Sequence, residues 1–189
     1  MRLLLKAISL QSNHSLQGSL VTSPNLDIFN SNSFDPVRDA FAKNVKDIRE
    51  SQNKYKHDTL ESLIKHEHVN NLADRSDSAK EGLLWLNYAL EFLHSSLVRN
   101  IEYPKESLKE SFGEAYEKTL GTHHNWMVRM AVRSTFGYLP EREEFYKKCG
   151  NDGSEQFFVD YKEWLRNFGD TVQNSYMLIN RVVVQSKDN

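Results

Sequence analysis

Two histidine pairs and one Glu-x-x-His stretch are the places where this chain could ligate a metal, and their spacing argues against it. His66 and His68 lie two residues apart, so a helix turns them roughly 200° from one another. His123 and His124 are adjacent and meet the same objection. A carboxylate-bridged site in a helical bundle needs Glu-x-x-His on two helices, and Glu91-Phe92-Leu93-His94 supplies a single copy. No His-Glu-x-x-His occurs, and Cys149 has no Cys-x-x-Cys partner. The expectation is no metal and no cofactor, with the seven histidines solvated or capping.

Nucleophilic chemistry has no better footing. Gly-x-Ser-x-Gly and any glycine-rich phosphate loop are absent. Cys149 follows Lys147 and Lys148 near the end of an expected helix, where the dipole disfavours a thiolate. No catalytic residue is assigned, and the chain reads as a binder rather than an enzyme.

What remains is a binding constellation. Ala40, Asn44, Asp47, Ser51 and Lys54 recur at spacings of four and three, which places them along one stripe of a helix. Phe41, Val45 and Ile48 form the adjoining apolar face. Elsewhere Leu83-Leu84-Trp85-Leu86 sets an indole among leucines, and Thr122-His123-His124-Asn125-Trp126 opens a further helix. An amide, an aromatic plate and an imidazole beside long apolar helices suit a ligand with a polar head and apolar tails. The same residues would also suit an ordinary helical core.

The elements that position these residues are all helical. Apolar residues at Val37, Phe41, Val45 and Ile48 keep a helical period from Phe34, with Pro36 in the first turn. Asp58 is the expected N-cap of a second helix through Leu60, Leu63, Ile64 and His68. Asp77 or Ser78 caps a third, running to about Ile101. Leu108 to Leu120 gives a fourth, and a fifth carries Trp126, Met130 and Phe136. Glu141 to Cys149 is short, and the last helix runs from about Ser154 to Val184. Seven helices result, with no convincing strand, although Arg181-Val182-Val183-Val184 has β-branched bias. Residues 1–33 read as a poorly patterned leader, and 34–189 as a single helical domain.

At 189 residues the chain buries about 70% of its unfolded surface. A net charge of -2, with both signs interspersed, argues against a nucleic-acid-binding face. One cysteine cannot form an internal disulfide, which favours a reducing, cytoplasmic setting. Leu3 to Leu5 is cut by Lys6, too short for a signal sequence, and no run of ~18 apolar residues could span a bilayer.

The order of three blocks resembles the glycolipid transfer protein family. They are Phe34-Asp35-Pro36-Val37 with Asn44-Val45-Lys46-Asp47-Ile48; Leu83-Leu84-Trp85-Leu86 with Ala89-Leu90-Glu91-Phe92; and Ala115-Tyr116 through His124-Asn125-Trp126 to Leu139-Pro140 and Phe145. The resemblance implies a two-layer all-α sandwich that holds one sphingolipid and moves it between membranes without bond chemistry. It implies that Trp85 lies under the first sugar, Asn44 hydrogen-bonds that sugar, and His124 meets the ceramide amide carbonyl. Trp126, with Arg129, would touch the bilayer transiently. Phe41, Val45, Phe92, Val128, Val132, Phe136, Phe158 and Leu165 would wall the acyl pocket.

The polar stripe departs from the family's Asp-x-x-x-Asn-x-x-Lys. In the register set by Phe34-x-Pro36, Ala40 and Asp47 stand where an acid and a lysine belong, with Asp39 as the nearest substitute acid. A shift of seven residues gives Asp47, Ser51 and Lys54 instead. In the family's ceramide-1-phosphate branch the phosphate is held by basic groups, and the matching positions here are Asn44, Glu81 and Trp85. A neutral glycosphingolipid is therefore expected. A lipid sensor or protein-interaction module on the same fold, with weak transfer, is the alternative.

Overall fold

A computed structural model describes residues 35–185, and the expectations for the leader fall outside them. Seven α-helices occur among the described residues: α1 (Asp35–Tyr55), α2 (Leu60–Val69), α3 (Ala79–Glu102), α4 (Leu108–Lys118), α5 (Trp126–Thr135), α6 (Arg142–Lys148) and α7 (Glu155–Gln185). Short 3-10 turns span Leu120–His123 and Phe136–Tyr138. The all-α expectation holds. The β-branched run 181–184 is helical, because tertiary burial outweighs intrinsic preference; Val182 is 2% exposed in a core.

The described helices gather into two compact units, one of 37–87 with 171–185, the other of 88–170. The first unit is built on Ile48, Leu63, Ile64, Ala79, Leu83, Ile179 and Val182. α1 has Asp35 in its first turn and Lys54 in its last, so charges at both ends complement its dipole. α2 is capped by Thr59, whose hydroxyl accepts from the Ser62 N–H at 3.2 Å, and not by Asp58. Ser78 is the cap of α3: its Oγ accepts from the Glu81 N–H at 3.1 Å and donates to the Ala73 carbonyl at 2.8 Å. Asp77 instead takes a two-pronged contact from Arg75, both bonds 3.0 Å. Glu67 of α2, 1% exposed, accepts from the Ala79 and Lys80 N–H groups at 2.8 and 3.0 Å. A buried carboxylate is tolerated there because it meets the positive end of α3.

The second unit is rich in aromatic rings. Phe92 sits edge-on to Phe112 and Tyr116, and Tyr146 edge-on to Phe157, Phe158 and Tyr161. A buried polar knot ties α3, α4 and α6. Asn100 donates to Ser111 at 3.0 Å, accepts from the Tyr146 hydroxyl at 2.8 Å, and offers its carbonyl to Arg142. The His94 Nε2–H donates to the Leu165 carbonyl at 3.1 Å, and a Cβ at Gly169 would stand 2.9 Å from that nitrogen. Gly169 is needed for this close approach.

The expected opening of the fifth helix is corrected. Thr122 and His123 belong to a 3-10 turn, and α5 starts at Trp126 behind Asn125, whose side chain accepts from the Val128 N–H at 3.0 Å. Phe136 lies in the following 3-10 turn rather than in the helix.

Candidate functional site

In the first unit α3 meets α1 at Gly82. A Cβ there would lie 2.9 Å from the Asn44 carbonyl oxygen and 3.3 Å from the Ile48 side chain. Only a residue without a side chain lets the two backbones come so near. Trp85 follows three residues later, about one turn along α3 from this contact.

Trp85 is half-buried, and its Nε1–H donates to the Glu81 carboxylate at 3.0 Å. Glu81 lies 3.9 Å from the Lys80 ammonium, which donates to Asp74 at 3.0 Å. The chain Asp74–Lys80–Glu81–Trp85 fixes the ring plane and lines one side of the indole with a carboxylate. Helical spacing of four made the Glu81–Trp85 pair available to sequence reasoning, which read Glu81 only as a mismatch.

The rest of the stripe divides. Asn44 is half-buried, while Asp39 and Ala40 are exposed. Asp47 is 8% exposed and accepts from the Lys43 ammonium at 2.5 Å; the same ammonium reaches the Ser76 carbonyl at 3.5 Å. Its carboxylate is thus engaged within the protein. Ser51 and Lys54 line a polar cavity together with Arg75 and Asp77.

His124 belongs to the second unit. Its Nδ1 lies 2.7 Å from the Tyr116 hydroxyl. Burial pushes the Tyr116 phenol up to about 12, so it stays protonated. Burial, with the His123 charge second, holds His124 below the usual imidazole range. The phenol and the neutral imidazole share this one hydrogen bond, and the tautomer that accepts at Nδ1 carries its proton on Nε2, a donor suited to a carbonyl. No residue spacing points to this partner, since the two residues lie eight apart across a 3-10 turn.

Of the expected pocket walls, Phe41, Phe136 and Leu165 are buried. Val45, Phe92, Val132 and Phe158 are half-buried. Val128 is 37% exposed, on a helix that has no buried residue. Trp126, Met127 and Met130 are 72%, 64% and 67% exposed on this helix. Arg129 and Arg133 both pair with Glu117. Burial lifts the Cys149 thiol to about 11, which leaves it a poor nucleophile at neutral pH. Among the described residues no three of His, Cys, Asp or Glu assemble into a possible metal cluster, and no helix is long and apolar enough to cross a membrane.

The glycolipid transfer protein family model matches residues 13–151, beginning upstream of Phe34. A glycolipid transfer protein of Aureobasidium melanogenum is 36% identical over 128 residues, covering 67% of this chain and 62% of its own length. Human pleckstrin homology domain-containing family A member 8 is 30% identical over 142 residues, 72% of this chain and 27% of that protein. The chain therefore spans less than two thirds of these relatives. The crystal structure of a fungal glycolipid transfer protein matches with a TM-score of 0.69 at 29% identity, covering 82% of this chain and 77% of that one. Human ceramide-1-phosphate transfer protein, solved with 12:0 ceramide-1-phosphate, matches in fold with a TM-score of 0.70 at 21% identity, covering 97% and 95%.

Proposed function

Because the chain belongs to the glycolipid transfer protein family, we propose that it binds a neutral glycosphingolipid and transfers it between membranes, with no bond made or broken. The observation that carries this reading is the Glu81-braced indole of Trp85, on the helix whose Gly82 packs against the Asn44 backbone. A flat ring with a fixed plane suits the C–H face of a hexose, and a neighbouring amide suits its hydroxyls. The carboxylate of Glu81 beside that plate repels a phosphate head, which favours a neutral sugar over ceramide-1-phosphate.

The remaining roles follow the family resemblance. His124, with its proton on Nε2, donates to the ceramide amide carbonyl. Phe41, Val45, Phe92, Val132, Phe136, Phe158 and Leu165 supply apolar walls, where each buried methylene contributes ~0.8 kcal/mol. The tails thus supply most of the affinity and the polar residues most of the selectivity. The exposed Trp126, Met127 and Met130 of α5 rest in the bilayer interface during pick-up and release, a peripheral contact in the cytoplasm.

Native mass spectrometry after incubation with mixed vesicles of glucosylceramide, galactosylceramide, ceramide-1-phosphate and phosphatidylcholine tests this, with Trp85→Ala in parallel. One-to-one capture of a glycosylceramide, lost in the variant, is expected. A folded protein that captures no glycosylceramide would overturn it. The engagement of Asp47 by Lys43 favours a second reading, a lipid sensor that holds its ligand and moves little. Vesicle-to-vesicle transfer separates the two, since a sensor binds without transferring.

A further inference from the structure

Buried polar side chains such as Ser96 and Asn100 have partners: Ser96 donates to the Phe92 carbonyl at 2.7 Å, and Asn100 is held by Ser111 and Tyr146. Asn87 and Ser175, both in the first unit, do not. Asn87 is 0% exposed, and its Nδ2 and Oδ1 are both unpartnered among the described residues. Ser175 is 2% exposed, and its Oγ is unpartnered too. Leaving such groups dry is costly, and native folds keep few of them.

Helical periodicity puts both in one apolar core. Asn87 lies one turn beyond Leu83 on α3, and Ser175 one turn before Ile179 on α7; Leu83 and Ile179 belong to the same cluster. The two helices run antiparallel, since His94 meets Gly169 about three turns beyond Leu83 on one and about three before Ile179 on the other. Asn87 and Ser175 therefore stand at the same level of this core, yet do not bond to one another. α1 is also antiparallel to α3, because Gly82 packs on Asn44 and Ile48 while Ser78 shares a cavity with Ser51 and Lys54. One turn past Gly82, that direction reaches the turn of α1 that carries Phe41, a proposed wall of the acyl pocket.

The three orphan atoms define the guest. Nδ2 donates, Oδ1 accepts, and Oγ does either. A hydroxyl answers all of them, donating to the amide oxygen while accepting from the amide nitrogen or the serine. A carbonyl or ether only accepts, and an ion would be stranded among Leu83, Val172 and Ile179. A plain hydrocarbon chain satisfies none of them.

We infer that Asn87 and Ser175 form an internal hydroxyl-recognition site, which selects a sphingolipid whose hydrocarbon chain itself carries a hydroxyl. The inference rests on the glycosphingolipid reading above. It separates two selections: Trp85 and Glu81 read the head, whereas Asn87 and Ser175 read the chain. It also gives a use to an amide placed where leucine would continue the apolar face of Leu83 and Leu90.

The test is competitive capture, by native mass spectrometry, of three glucosylceramides of equal chain length. Their acyl chains are unsubstituted, 2-hydroxylated or hydroxylated at mid-chain. Wild type, Asn87→Leu and Ser175→Ala are compared, with urea unfolding of each lipid-free protein alongside. Wild type is expected to favour one hydroxylated lipid about tenfold over the unsubstituted one, the value of one or two hydrogen bonds. Each variant should bring that ratio near one without loss of lipid-free stability. Equal capture of all three by wild type, or a preference that survives both variants, overturns the site alone. Equal capture joined to a marked loss of stability in Asn87→Leu overturns it in favour of an internal water. Capture of no glucosylceramide overturns the underlying reading, and the site with it.

Discussion

Gly82 lies so close to Asn44 that a Cβ on the glycine would stand 2.9 Å from the asparagine carbonyl oxygen. The contact is backbone to backbone, so no side-chain rotation relieves it. It brings the helix bearing the indole against the helix bearing the amide, and it makes a small residue a requirement of the proposed headgroup site.

Gly82→Ala is expected to destabilise the protein. Overpacking costs about 1–3 kcal/mol, against a helix-propensity gain of at most about 1 kcal/mol. Urea unfolding measures the difference. A variant at least as stable as wild type would show that the two helices separate freely.

Glu81→Gln keeps an oxygen for the Trp85 N–H but removes the charge, whereas Glu81→Ala removes both. The Gln variant should keep the wild-type tryptophan emission and sugar-lipid capture while admitting more ceramide-1-phosphate. The Ala variant should lose sugar-lipid capture. If both variants capture lipids in the same proportions as wild type, Glu81 neither orients the ring nor filters charge.

Asn87 is 0% exposed, and both polar atoms of its amide lack a hydrogen-bond partner among the described residues. An unsatisfied buried amide costs about 1–3 kcal/mol, so the similarly sized Asn87→Leu is expected to be neutral or stabilising. A loss above about 2 kcal/mol in thermal or urea unfolding would mean that the amide is satisfied in solution.

His94 and His124 both lie below the usual imidazole range, each chiefly through burial. Above about pH 6.5 they are neutral in the folded and unfolded chain alike. As pH falls below that value the unfolded chain binds their protons first, so stability declines until the folded-state values are reached. Proton NMR should show two imidazoles with midpoints under about 6.5, and melts should be lower at pH 5.5 than at 7.5. Midpoints at or above the ordinary value would contradict the buried, neutral assignment.

Trp126→Ala should weaken binding to phosphatidylcholine vesicles several-fold and leave the melting temperature unchanged, because the ring is 72% exposed. Flotation and calorimetry measure the two effects. A large drop in melting temperature would mean that the indole packs within the fold.

The helices themselves were legible because apolar residues kept a clean period, as at Phe41 and Ile48 or Phe157, Tyr161, Trp164 and Phe168. Their starts were less so. Asp58 and Thr59 are both good caps, and the choice between them depended on which oxygen faces the Ser62 N–H. The turn at Leu120–His123 was missed since a 3-10 segment leaves no distinct apolar period. Asn44, Trp85 and His124 were singled out by residue type and family pattern. Their partners were harder: Glu81 was within helical reach of Trp85, but Tyr116 meets His124 only after the chain reverses.

The carboxylate of Glu67 caps the start of α3 from another helix, twelve and thirteen residues upstream of the N–H groups it receives. The first turn of α3 is therefore incomplete until α2 has formed and docked. An excised α3 peptide would fray at the end nearest Trp85, so order at the proposed binding plate is acquired only with the assembled unit. A substitution at Glu67 would therefore disturb the proposed plate from another helix, through the backbone of α3.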